Sequence, residues 1–249
     1  MVNPLDMTSP ERVQSASPVP CAKCGSRVAG VCASLDVAGL DDISHETRRT
    51  SVSPRHVLFR EGDDASHIVM LMRGTAKLSR QMPDGKQQVL GFRFEGDILG
   101  FTSARQFNAD AEMLTEGSVC RVSRRDFEGL MARYPAMQRR MVDLCTQELE
   151  RTQEQLVTVG RRQAEQRVAA FLLSLAAAQR MRNLNTHAFE MPMTRAEIGD
   201  LLGLALETVS RAFSALRRRG LVREPGGNRL ELLMPAALQA LAEGEPVDG

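Results

Sequence analysis

The chain has 249 residues, 43% of them apolar, with no tryptophan, a single tyrosine and a formal net charge of +1 at pH 7. That length suits two small domains with tails rather than one core, and the near-balance of charge excludes a uniformly basic nucleic-acid coat while allowing a local basic face. No early segment joins a charged start, an apolar run and a small-residue cleavage site, and no apolar stretch approaches the roughly 18 residues of a membrane span, so a cytoplasmic protein without membrane contact is expected.

Residues 1–20 are rich in Pro and Ser, lack a sustained apolar period and read as a flexible tail. Residues 21–34, CAKCGSRVAGVCAS, carry Cys21, Cys24 and Cys32 as C-x2-C-x7-C, with Gly25 and Gly30 giving the backbone freedom to wrap a compact inorganic core. The chain has five cysteines, an odd number, and a reducing compartment keeps thiols free, so this cluster reads as metal-ligating or redox-active rather than disulfide-bonded. Over 35–135 the pattern becomes short β-type runs such as HVLF, HIVMLMR and QQVLGFRF split by glycine turns, which predicts a small antiparallel sandwich or roll. Asp84-Gly85 between two runs is a two-residue hairpin signal. A helix is expected from about Asp126 to the Tyr134-Pro135 break.

Residues 136–162 form one long helix whose Val142, Cys145, Leu149, Thr152, Leu156 and Val159 recur at alternating three- and four-residue steps, flanked by Glu148, Glu150, Arg151 and Glu154. That narrow stripe is a two-stranded coiled-coil seam, and it predicts a homodimer. Thr152 interrupts it, and an unpartnered hydroxyl there is expected to keep the dimer marginal.

Residues 163–249 are helical again and contain TRAEIGDLLGLALETVSRAFSALRRRG, in which Ile198, Leu201 and Leu202 line one helix, Gly203 permits a tight turn, and Val209 and Leu216 line a second. This is a helix-turn-helix, followed by a wing hairpin around Pro225-Gly226-Gly227-Asn228. The second helix of such a unit enters the DNA major groove. With Val209 inward, Glu207, Ser210 and Arg211 share an exposed face, and their chemistry suits base edges: Arg for guanine, Glu for cytosine, Ser for either. Thr194 and Arg195 at the start of the first helix, and Arg217, Arg218 and Arg219 at the end of the second, are candidate phosphate contacts. Catalytic residues are not expected: His45, His56, His67 and His187 are scattered, and an enzyme is not indicated.

The order of roll, long helix and winged helix-turn-helix, with AEQRVAAFL, EGDILGF and ETVSR, resembles the CRP/FNR superfamily of transcription regulators, in its FNR-type branch. The resemblance implies an α+β fold: an N-terminal antiparallel β-roll like that of cyclic-nucleotide-binding proteins, a dimerisation helix and a C-terminal winged helix-turn-helix. It also implies that Glu207, Ser210 and Arg211 read a TTGA-type half-site in double-stranded DNA, and that RNA polymerase is a partner. In the relatives that hold a cyclic nucleotide, a Gly-Glu pair and a following Arg-Ser or Arg-Thr meet the phosphate. Here Asp97 stands for the glutamate, Asn108-Ala109-Asp110 occupies the Arg-Ser place and Arg105 falls on the wrong side, so no cyclic nucleotide is expected.

The fourth thiol must be Cys120 or Cys145. Cys145 falls on the seam, whereas Cys120, in SVCRV at the edge of the roll, is within reach of a loop folded over it. Spacing leaves zinc and an iron–sulfur cluster both open. The resemblance implies an oxygen-labile [4Fe-4S] cluster on Cys21, Cys24, Cys32 and Cys120, hence an oxygen-sensing regulator of anaerobic genes. The alternatives are a zinc- or thiol-dependent redox regulator of the same fold, or, in another class, an iron–sulfur electron-transfer protein.

Overall fold

The computed structural model describes residues 21, 24, 27–182 and 184–245, so the expected tail lies outside the described residues. A 3-10 turn at Val31–Ser34 leads into α1 (Val37–Glu46), capped by Asp36, whose carboxylate accepts from the Gly39 N–H at 2.9 Å. Eight strands follow: β1 (Thr47–Val52), β2 (Val57–Phe59), β3 (His67–Arg73), β4 (Ala76–Gln81), β5 (Gln87–Arg93), β6 (Ile98–Leu99), β7 (Asp110–Met113) and β8 (Gly117–Ser123). They pair into two antiparallel four-stranded sheets, β1-β8-β3-β6 and β2-β7-β4-β5, forming a jelly-roll-like domain. The turn between β4 and β5 corrects the two-residue expectation: the loop is residues 82–86, closed by Gly85 N–H to Met82 O at 2.9 Å and Met82 N–H to Lys86 O at 2.8 Å, with Gly85 at φ +81°. Pro83 has no N–H for a continued ladder, and Gly85 supplies the positive φ.

Alternation along the strands divides the first sheet's faces. Val69 and Leu71 on β3 and Val119 on β8 fill the roll's interior, whereas Ile68 and Met70 on β3 and Cys120 and Val122 on β8 point the other way. That outer face is covered by Val31, Leu35, Leu40 and Ile43 from the N-terminal segment and α1. The sequence reading assigned 35–135 wholly to the roll and missed α1.

Two helices close this domain: α2 (Arg124–Arg133), capped by Ser123, and α3 (Pro135–Arg161), with Pro135 at its first position. The C-terminal part comprises α4 (Ala164–Met181), β9 (Ala188–Glu190), α5 (Arg195–Leu202), α6 (Leu206–Arg218), β10 (Val222–Gly226), β11 (Arg229–Leu232) and α7 (Pro235–Glu243). Gly203, at φ +65°, makes the turn between α5 and α6. The wing is three-stranded because β9 pairs with β11, and neither β9 nor α7 was anticipated. Val89 and Phe92 of β5 enter the core of this C-terminal part. Beside them the buried Lys77 of β4 pairs with Glu197 of α5 at 2.9 Å. Among the described residues no helix is long and apolar enough to cross a membrane.

Candidate cofactor cavity and DNA-reading surface

The N-terminal segment advances by tight turns, Cys24 N–H to Cys21 O and Arg27 N–H to Cys24 O, each at 3.2 Å. Together with the 3-10 turn, these bring Cys21, Cys24 and Cys32 over the outer face of the first sheet. There Cys120 projects toward them, and all four cysteines line one cavity of about 350 Å³, counting its open mouth. Its other walls are Ile43, Thr47, Met70 and Met72, with Arg27 and Arg49 as the charged lining residues among those described.

The location of Cys120 differs from expectation. β8 is an inner strand between β1 and β3, not an edge strand, and Cys120 is reachable because its side chain leaves the sheet through the face that α1 and the segment cover. Cys145 lies outside this cavity, exposed on α3.

Burial, and then the charges of Cys120, Cys21 and Cys24, push the Cys32 thiol up to about 12. Burial also raises Cys120, partly opposed by Thr47 and Arg49. With raised pKa values both thiols stay protonated at neutral pH, and a metal that takes them as thiolates must displace their protons. The donor set is all sulfur with two cations to offset its charge, which fits a soft, thiolate-bound inorganic group. Among the described residues no three His, Cys, Asp or Glu side chains are gathered closely enough to grip one metal ion.

On α6, Val209 is fully buried while Glu207, Ser210 and Arg211 are exposed on one face. The phosphate candidates divide. Thr194 is the N-cap of α5, its hydroxyl accepting from Glu197 N–H at 3.2 Å in a reciprocal capping box. Arg195 forms an internal brace in the DNA-free protein: its guanidinium pairs with Glu224 of β10 and lies 3.4 Å from the Phe213 ring centre. Arg217 takes the other Glu224 oxygen at 3.1 Å, and Arg219 faces Glu165 at 3.6 Å. Arg218 is exposed and forms no ion pair among the described residues. Glu224, which ties α5, α6 and the wing together, was missed; its signal in the sequence was a lone acid in a basic stretch.

The seam of α3 is bare on a single protomer: Val142, Leu149 and Leu156 are 61%, 58% and 70% exposed, and Cys145 and Thr152 are exposed between them. Two details change the reading. Thr152 Oγ1 donates to the Glu148 carbonyl at 2.8 Å, so its hydroxyl has a partner. Val159 is half-buried beside the Gly203 turn of its own protomer and leaves the stripe. Asp97, which stands in place of the glutamate of nucleotide-holding relatives, receives Arg182 at 2.6 Å from the end of α4.

Family models match this chain over residues 49–134 as a cyclic nucleotide-binding domain and over residues 166–241 as a Crp-like helix-turn-helix domain. The nitrogen fixation regulation protein FixK of Bradyrhizobium diazoefficiens is 34% identical over 89% of this chain and 93% of its own. The transcriptional activatory protein AadR of Rhodopseudomonas palustris is 35% identical over 88% and 91%, and the transcriptional activator protein FnrA of Stutzerimonas stutzeri 29% over 96% and 98%. Among solved structures, FixK2 from Bradyrhizobium japonicum superposes with a TM-score of 0.72 at 27% identity, over 82% of this chain and 99% of that one. With the roll, the long helix and the winged helix-turn-helix in this order, the chain belongs to the CRP/FNR family of DNA-binding transcription regulators and is not an enzyme.

Proposed function

We propose that this regulator senses oxygen through a [4Fe-4S] cluster on Cys21, Cys24, Cys32 and Cys120, and that with the cluster intact it binds a TTGA-type near-palindrome as a homodimer and acts on RNA polymerase. The observation that carries the reading is the convergence of four cysteines, three from the segment and one from β8, on a single cavity whose described lining holds no His, Asp or Glu. Relatives include a protein named FnrL of Cereibacter sphaeroides and an anaerobic regulatory protein of Pasteurella multocida. When bound, the cluster supplies an oxygen-reactive redox centre. Anaerobic purification with iron and sulfide analysis and an absorption spectrum before and after air tests the reading. One zinc per chain without sulfide would falsify it.

The protein's own residues connect the cavity to α3. Val31 and Leu35 of the segment share a core with Met137 and Met141 of the helix, and Arg140 donates to Ala29 O at 2.5 Å and Gly30 O at 3.5 Å. Release of the segment therefore strips the first turns of the dimer helix of packing and of two carbonyl contacts. The Asp97–Arg182 pair engages that glutamate's place in a structural contact, which supports regulation without a cyclic nucleotide.

On DNA, Arg211→Ala is expected to cost about 1–3 kcal/mol and relax the preference at one guanine, whereas Arg218→Ala weakens binding evenly across sequences. Competition titrations with specific and random duplexes separate the two. In the dimer, Thr152→Leu is expected to tighten association by about 2 kcal/mol, roughly 30-fold, through added apolar area on both copies. With its hydroxyl already bonded to Glu148 O, no larger gain is expected; sedimentation in air and under argon measures it.

A further inference from the structure

We propose that Arg49 is a positioning residue of the cysteine cavity: its guanidinium holds the Cys21 sulfur in place and, by donating to it, sets how readily a bound cluster loses an electron to oxygen. This inference rests on the cluster reading above. Arg49 lies on β1 directly opposite Cys120, and Cys120 lies directly opposite Met70 on β3, so the three form a row on one face of the sheet beneath the cysteine segment. From that row Arg49 Nη2 donates to Cys21 Sγ at 2.8 Å. One side chain thus meets a sulfur of the segment while standing beside a sulfur of the sheet, at the joint the cluster must span. Arg27 is the second cation in the cavity wall.

A guanidinium keeps its charge at every working pH and presents a rigid fork of donors. Four thiolates around an iron–sulfur core carry net negative charge, and an N–H aimed at a ligand sulfur withdraws electron density from it, which stabilises the more electron-rich state of the cluster. The step affected is the transfer of one electron from cluster to dioxygen: the cluster is oxidised by one electron, dioxygen becomes superoxide, and no bond or proton is exchanged. Arg49 therefore slows the response to oxygen and lengthens the life of the DNA-binding form.

The test uses wild type, Arg49→Gln and Arg49→Lys, each reconstituted anaerobically and compared by iron and sulfide content, midpoint potential and bleaching half-time at fixed dissolved oxygen. Arg49→Gln is expected to bleach on the order of fivefold faster with a lower midpoint potential, and Arg49→Lys to fall between it and wild type. A folded glutamine variant that fails to load iron while the lysine variant loads also supports the proposal, because holding Cys21 is the first part of the role. Should the glutamine variant not fold, the lysine variant decides, with bleaching at least about twofold faster expected because one ammonium cannot reproduce the fork. Loaded variants with wild-type half-times and potentials overturn the role of Arg49 alone; wild type without sulfide overturns the cluster reading beneath it.

Discussion

Replacing Leu149 by glutamate is expected to turn the anaerobic protein into a monomer that retains its colour but loses specific DNA binding by about a thousandfold. Leu149 sits near the middle of the α3 stripe and is 58% exposed on one protomer, with Val142 and Leu156 equally bare on either side. Among the described residues no neighbouring element covers that stripe, and the proposed homodimer would bury it against a second copy. A leucine side chain taken out of water contributes about 2 kcal/mol, and across a two-fold axis the loss counts twice, about 4 kcal/mol or three decades in the association constant. Like charges placed opposite each other in the seam add to this. A monomer keeps one recognition helix and half of the phosphate contacts, too few for specific binding at physiological salt. The cavity is remote from Leu149, which is not among its lining residues, so the absorption spectrum should be unchanged. Sedimentation equilibrium with the spectrum recorded on the same sample checks both halves; a persistent dimer would place the interface elsewhere.

The features legible in the sequence are those carried by local periodicity. The three-four stripe of α3 and the inward Val209 with outward Glu207, Ser210 and Arg211 follow from helix geometry alone. The gathering of Cys21, Cys24 and Cys32 follows from their short spacing. What depends on the order of strands in a sheet was not legible: nothing local says that β8 lies between β1 and β3, or that Arg49 stands opposite Cys120. Long-range charge pairing was equally hidden. Arg195 and Arg218 look alike in a basic run, yet one is drawn inward by Glu224 and the Phe213 ring while the other stays in solvent. The margins of the seam show the same effect. Glu148, one of the acids flanking the stripe, is held by Arg93 of the roll at 2.5 Å and faces Arg151 at 3.8 Å, and Glu154 pairs with Arg162 at 2.7 Å. In the proposed mechanism, the support that the cysteine segment gives to the first turns of α3 is then the element through which association would be controlled.

Breaking the chain of contacts at its two ends should separate sensing from response. Cys120→Ala removes the sheet's sulfur from the cavity and is expected to abolish the chromophore and, with it, anaerobic DNA binding. Because Cys120 also packs in the core shared by Val31, Ile43 and Met137, the alanine leaves a small cavity, and Cys120→Ser serves as the volume-matched partner. Arg140→Gln acts at the other end. It leaves every cavity residue in place, so iron, sulfide and the bleaching half-time should match wild type. What it removes is the guanidinium that holds Ala29 O, and more loosely Gly30 O, against α3; one charge-assisted hydrogen bond of about 1.5–3 kcal/mol is at stake, with a long, weaker contact beside it. With that tie gone, the state of the segment reaches the helix only through Met137 and Met141, and the ratio of DNA affinity with and without cluster should fall at least tenfold. Anaerobic and aerobic binding titrations on the same duplex measure that ratio. A tenfold fall with unchanged cluster content assigns Arg140 to transmission. An unchanged ratio would mean that apolar packing alone carries the signal from the cysteine segment to the dimer.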